Sequence, residues 1–119
     1  MPELFLSTAR TKFLNLEKVL QEIKKCAQNL RDVDKNVERV VLFGSLITGN
    51  YTPHSDVDLL IVLAVDNRRM VDRIPEYMSR FMDIPLGVDV FPYTKEELER
   101  MECEGNTFIL KILRDGQDI

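Results

Sequence analysis

The stretch that most constrains the fold is Asp56-Val57-Asp58 running straight into the apolar residues Leu59 to Ala64. A strand with one wet face alternates polar and apolar residues, so an unbroken run reads as a strand covered on both faces in the centre of a sheet. Strand side chains alternate between faces, so Asp56 and Asp58 share one. Like charges so placed repel, and an ordinary fold gains nothing from them at the mouth of a buried strand.

The rest of the chain supplies elements to cover that strand. Leu14, Leu16, Val19, Leu20, Ile23 and Leu30 recur at helical spacing among Glu and Lys, which predicts an amphipathic helix over 11–30. Val37 to Phe43 reads as a strand bounded by Gly44, and Asp56 to Ala64 as the second. From Asn67 a helical pattern runs to Phe81, with Pro75 placed to kink or divide it. Leu86 to Phe91 reads as a third strand. Thr94 and Glu97 form a capping box that opens a short helix. Gly105-Asn106 breaks the chain, and a last helix starts at Thr107 and stops at Gly116. Phe108, Ile109, Ile112 and Leu113 fit the core better than a dimer face. The order predicts a single α/β (α+β) domain over 1–119, a small sheet flanked by helices, with its core over 37–91 and closing helices over 94–116.

Composition narrows the function classes. No apolar run reaches membrane-spanning length and no secretory leader is visible, so a cytoplasmic protein with no membrane is expected. Cys26 and Cys103 lie far apart and away from His54, which argues against zinc and for buried free thiols. The net charge of −4 disfavours extended nucleic acid as a partner. A nucleotide held through a divalent cation is compatible with it.

Asp56 and Asp58 make chemical sense with a divalent cation between them. Carboxylate oxygens are hard ligands that suit Mg²⁺ or Mn²⁺, with substrate phosphates completing the shell. Asp89 stands in the otherwise apolar "LGVDVF", where an unpaired buried carboxylate would be costly. With the third strand beside the second, three acids could serve a two-metal phosphoryl or nucleotidyl transfer. Gly44-Ser45, at the end of the first strand, would let backbone approach a phosphate closely, with the Ser45 hydroxyl beside it. No lysine follows at the spacing of a Walker-type loop. Taken singly, Asp-x-Asp also fits a solvated strand end, Gly-Ser an ordinary turn, and Asp89 an edge residue in water. His54 reads as an exposed loop residue, and Asp66, Asp72 and Asp83 as solvated charges.

Gly44-Ser45, the ten residues Leu46 to Ser55, Asp56-Val57-Asp58 and then Asp89 resemble the signature of the DNA polymerase β-like nucleotidyltransferases. Gly49 and Ser55 fall where that family often places a glycine and a serine. The small size resembles its minimal nucleotidyltransferases, and the tail "GNTFILKILRDGQDI" resembles their closing helix. The resemblance implies a central mixed sheet with a polymerase β palm-like fold, its acids at one edge. It implies Mg²⁺-dependent transfer of a nucleoside monophosphate, AMP from ATP foremost, to a hydroxyl. Asp56 and Asp58 would bind metal, Asp89 would complete the site and help take the acceptor's proton, and Gly44, Ser45 and Ser55 would hold the nucleotide. Minimal members are commonly paired with a helical HEPN-family protein, in pairs that resemble toxin–antitoxin systems, and that protein is the implied acceptor.

One departure matters. The family often carries a basic residue in the segment after Gly-Ser, whereas Leu46-Ile47-Thr48 is uncharged. Arg68 or Arg69 could supply the missing charge. A binding module that neutralises a HEPN partner by contact is the competing reading, and a small aminoglycoside-type nucleotidyltransferase another. Acceptor, nucleotide preference and oligomeric state, a homo-oligomer included, stay open at the level of sequence.

Overall fold

The computed structural model describes residues 2–49 and 56–119, with the backbone alone for 2–15. The elements are α1 (Pro2–Val33), β1 (Val37–Phe43), α2 (Ser45–Thr48), β2 (Val57–Leu63), α3 (Met70–Met78), a 3₁₀ turn (Ser79–Phe81), β3 (Val88–Thr94), α4 (Lys95–Cys103), α5 (Thr107–Asp115) and β4 (Gln117–Asp118). The strands form one mixed sheet in the order β3-β2-β1-β4. β1 runs antiparallel to β2 and β4, and β2 parallel to β3. Parallel neighbours need a crossover rather than a hairpin, and α3 provides it.

β2 is the covered strand that its apolar run predicts: Leu59, Leu60, Ile61 and Leu63 are each 0 % exposed. On one face Val57, Leu59, Ile61 and Leu63 pack with Val19, Ile23, Ala27 and Leu30 of α1 and with Tyr77 and Phe81 beyond β2. On the other, Leu60 and Val62 pack with Val41, Leu98, Ile109 and Ile112, which brings α4 and α5 onto the sheet. Each fully buried aliphatic side chain of this kind contributes roughly 1.5–3 kcal/mol, so β2 is the strand around which both cores are organised. Among the described residues, no helix is long and apolar enough to cross a membrane.

The predicted elements are present with shifted bounds. α1 is longer than 11–30. β2 begins at Val57, leaving Asp56 just ahead of it. β3 lies three residues further along at its C-terminal end than "LGVDVF" suggests, because Pro92 does not stop it. β3 is the outer strand, and the Pro92 carbonyl faces away from β2 to accept from Arg73 at 3.0 Å. A residue's N–H and carbonyl point to the same side of a strand, so the donor that proline lacks belongs to the unpaired edge. α3 continues through Pro75 and tightens into a 3₁₀ turn only after Met78.

The Thr94–Glu97 capping box forms as expected, with the Glu97 N–H donating to Thr94 Oγ1 at 3.2 Å and the Thr94 N–H to Glu97 Oε1 at 2.8 Å. Asn106 caps α5 through Oδ1. Gly116 ends α5 for a steric reason: a Cβ there would lie 2.6 Å from the Ile112 carbonyl oxygen and 2.6 Å from Val41 Cγ1.

The free thiols are not both buried as expected, since Cys26 is half-buried and Cys103 exposed. Asp66, which reads as a solvated charge, is structural, and so is Arg73. The Asp66 side chain is only 8 % exposed and pairs with Arg68, whose hydrogen bonds hold its carboxyl down at about 2. Arg73, 2 % exposed, donates to Glu97, to Pro92 and to the carbonyls of Asp66 and Arg68. One guanidinium thereby ties the β2–α3 connection to β3 and α4. A buried arginine needs several acceptors converging on it, and this one has them.

Candidate active site

At one end of the sheet Gly44, Ser45, Asp56, Asp58 and Asp89 come together. β1 ends at Phe43 and turns through Gly44-Ser45, β2 begins after Asp56, and β3 begins after Gly87. In the ladders Phe43 stands opposite Asp58, and Asp58 beside Asp89. Register partners share a face, so Phe43, Asp58 and Asp89 form a row on the α4–α5 side. The acids occupy one end of a central and an outer strand, rather than an edge of the sheet alone.

The glycines are set by close approach to those carboxylates. Gly44 has φ 86° and ψ −151°, which side-chain-bearing residues rarely adopt. A Cβ at Gly44 would run into Asp58 Oδ2, and one at Gly87 into Asp56 Oδ1. The Gly87 carbonyl also accepts from the Val57 N–H at 2.7 Å, pinning the two strand starts together. Gly49 closes α2 in the left-handed region, φ 82°. The backbone thus leaves space around Asp56 and Asp58 that only glycine permits.

Asp58 is half-buried, whereas Asp56 and Asp89 are exposed. The cost of burying a carboxylate therefore falls on Asp58 and not, as the apolar surroundings of Asp89 in sequence suggest, on Asp89. Burial first, then the charges of Asp89 and Asp56, push the Asp58 carboxyl above its ordinary value. A cation beside Asp58 would reverse that penalty.

The donor set suits Mg²⁺ or Mn²⁺: hard carboxylate oxygens at adjoining strand ends, open to solvent on one side. Among the described residues, no three acidic, histidine or cysteine side chains are arranged as a ready-made ligand set. Mg²⁺ takes one or two protein carboxylates and fills its shell with water and phosphate, so a closed cage of three is not required.

Beside the acids lies a cavity of about 320 Å³ lined by Phe43, Gly44, Ser45, Ile47, Thr48 and, from α5, Phe108, Lys111, Ile112 and Asp115. Phe108 is 41 % exposed and meets Phe43 and Phe91 with ring centroids 5.7 and 5.4 Å away. α5 therefore sends Ile109 and Ile112 into the core and turns Phe108 and Lys111 to the cavity. The sequence pattern grouped Phe108 with the core, and nothing in it marked Lys111.

Arg68 and Arg69 do not supply the charge missing from Leu46-Ile47-Thr48. They follow the far end of β2, and seven residues at about 3.3 Å each put roughly 20 Å between the two ends. Both are also engaged, Arg68 with Asp66 and Glu76 and Arg69 with Asp72. Ser55 and His54 lie outside the described residues.

Comparison with known proteins is consistent with this geometry. The family model described as the nucleotidyltransferase domain matches residues 20–113. A protein of Methanocaldococcus jannaschii that bears the name "Putative protein adenylyltransferase" is 29 % identical over 68 residues, which is 57 % of this chain and 66 % of the relative. The crystal structure of "a putative nucleotidyltransferase" from Sulfolobus solfataricus superposes with a TM-score of 0.61 at 24 % identity, covering 89 % of this chain and 83 % of that one. At that identity the structural likeness speaks for the fold.

Proposed function

Because the chain belongs to the nucleotidyltransferase domain family, we propose that it is a divalent-metal-dependent enzyme that moves AMP from ATP to a hydroxyl group of a protein. The observation that carries this reading is the row of Asp58 and Asp89 in register, with Asp56 alongside and Gly44 against Asp58. The relative's name supports a protein acceptor and an adenylyl group.

Asp56 and Asp58 would hold Mg²⁺ or Mn²⁺, with Asp89 completing the site. The ion, when bound, offsets the charge of the carboxylates and of the phosphates. The residues of the chain divide the remaining work. Gly44 and Ser45 receive the triphosphate where backbone can come close. The acceptor oxygen attacks the α-phosphorus, the α–β phosphoanhydride bond breaks, and pyrophosphate leaves. The exposed carboxylate of Asp89 takes the acceptor's proton. Ser55, in the segment before Asp56, is proposed as a further nucleotide contact.

The proposed acceptor is a helical HEPN-family partner in a toxin–antitoxin pair, a reading supported by the resemblance to minimal nucleotidyltransferases. The uncharged Leu46-Ile47-Thr48 favours a second reading, in which the protein neutralises that partner by contact alone. Incubation with ATP labelled at the α-phosphate, Mg²⁺ and the partner separates the two. Label on the partner with wild type and none with Asp58→Asn is the expected result. Label that survives Asp56→Asn combined with Asp58→Asn sinks the transferase reading. Neutralisation in cells by that double variant establishes the contact reading.

A further inference from the structure

Resting on the transferase reading, we propose that Lys111 of α5 is the cation that binds the nucleotide's terminal phosphates, in place of the basic residue absent after Gly44-Ser45. Phe108, Lys111 and Asp115 follow one another at three- and four-residue spacing, so they occupy one helix face. That face closes the cavity whose opposite wall is Gly44, Ser45 and Thr48. The acid row begins where this cavity ends, since Phe43 and Gly44 line it and also stand against Asp58. A triphosphate whose α-phosphorus lies at the acids would run its β- and γ-phosphates along Gly44-Ser45, within reach of a lysine across the cavity. At about 320 Å³ the cavity falls within the range of small-ligand pockets, roughly 300–1,000 Å³.

Charge singles Lys111 out. Among the described residues that line the cavity it is the one with a positive charge, and it makes no ion pair there, whereas Arg68, Arg69, Arg73 and Arg114 are each held by carboxylates. Asp115 also lines the cavity, and Arg114 binds it with hydrogen bonds of 3.0 and 3.1 Å. Asp115 is thereby held chiefly by its own neighbour, with the Lys111 charge a lesser influence on it, and the ammonium of Lys111 keeps its hydrogen bonds for the phosphates. Lysine serves such a site as a mobile point charge.

The test is calorimetric titration of ATP, ADP and AMP with Mg²⁺ into wild type, Lys111→Met and Lys111→Arg, each first checked by thermal melting. A phosphate contact of this kind is worth roughly 10- to 100-fold in affinity, so Lys111→Met should bind ATP that much more weakly. AMP, which lacks the β- and γ-phosphates, should bind as it does to wild type. Lys111→Arg should keep most of the ATP affinity. In turnover, Lys111→Met should raise KM for ATP more than it lowers kcat. Unchanged ATP affinity in Lys111→Met overturns the inference alone, as does an equal loss of ATP and AMP. Failure of wild type to bind any nucleoside triphosphate overturns the transferase reading, and this inference with it.

Discussion

Replacing Gly44 by alanine separates the site's geometry from ordinary turn chemistry. Two costs meet at this position. The backbone at φ 86° and ψ −151° lies in a region that is nearly glycine's alone, which costs about 1–3 kcal/mol for any other residue. The new methyl also runs into Asp58 Oδ2, and the carboxylate must swing away. Asp58 already carries the repulsion of Asp89 beside it and of Asp56 on its own strand, so a displacement toward either increases it. Gly49 supplies the control. It also has positive φ, at 82°, but a Cβ there meets nothing within 4 Å. Its alanine variant carries only the left-handed backbone cost, about 1–2 kcal/mol. Both variants should melt several degrees below wild type, on the order of 3–10 °C for a domain of this size. Only Gly44→Ala should lose AMP transfer, by about 100-fold or more, because ångström-scale misplacement of a reacting group has that effect. Thermal melting and transfer of label from ATP, run side by side, read the two effects separately. Equal transfer by the two variants would refute the close-approach argument, whatever their stabilities.

Asp58 makes the folded protein sensitive to pH in a defined sense. Its carboxyl sits above the ordinary value, so its contribution is intact below about pH 4 and is lost as pH rises through the folded-state value. Asp58→Asn should therefore melt higher than wild type at pH 7, and that advantage should vanish in acid. A melting series from pH 3 to 8 checks this. Mg²⁺ or Mn²⁺ should raise the melting temperature of wild type and lose most of that effect in Asp58→Asn, as differential scanning fluorimetry would show. Asp66 behaves oppositely: held at about 2 by Arg68, it stabilises above the ordinary carboxylate value, and that contribution fades as pH falls toward 2. Arg73→Met, which strands Glu97 and several carbonyls, should cost about 3–5 kcal/mol and yet leave transfer near wild type at temperatures where it is folded.

What was legible in the sequence was local. The contiguous run Leu59 to Ala64 told of a doubly covered strand because burial on both faces removes the need for polar residues. The capping box told of α4 because a helix start needs its own donors satisfied within three residues. Long-range register was not legible. Nothing local says that Asp89 stands beside Asp58, since this depends on how the α3 crossover lays β3 along β2. The two-residue β4 could not be read either; it is held by pairing to Val41 and Leu42 and by Arg39 on Asp118. Arg73 hid for a related reason. A charged residue one position before Ile74 looks like the wet face of a helix, and the Glu97 carboxylate and the carbonyls that converge on it make burial affordable.

The same division explains where the site lies. Folding favours the interior of β2, where every side chain is apolar, and the proposed site occupies its first residues, where the strand emerges. The half-burial of Asp58 is the compromise between them. Further in, its carboxylate would be too costly to ionise; further out, it would lose both its register with Asp89 and its close approach to Gly44. The charge that such a cluster needs from the rest of the protein must then come from an element not committed to the sheet. Arg68 and Arg69 are excluded by distance and by their own ion pairs, and α5 is the helix that packs its apolar side on β1 and β2 while turning Phe108 and Lys111 toward Gly44-Ser45. A chain whose proposed phosphate loop is uncharged could in this way bind an anion with a lysine more than sixty residues later in sequence, provided that the closing helix docks in this one orientation.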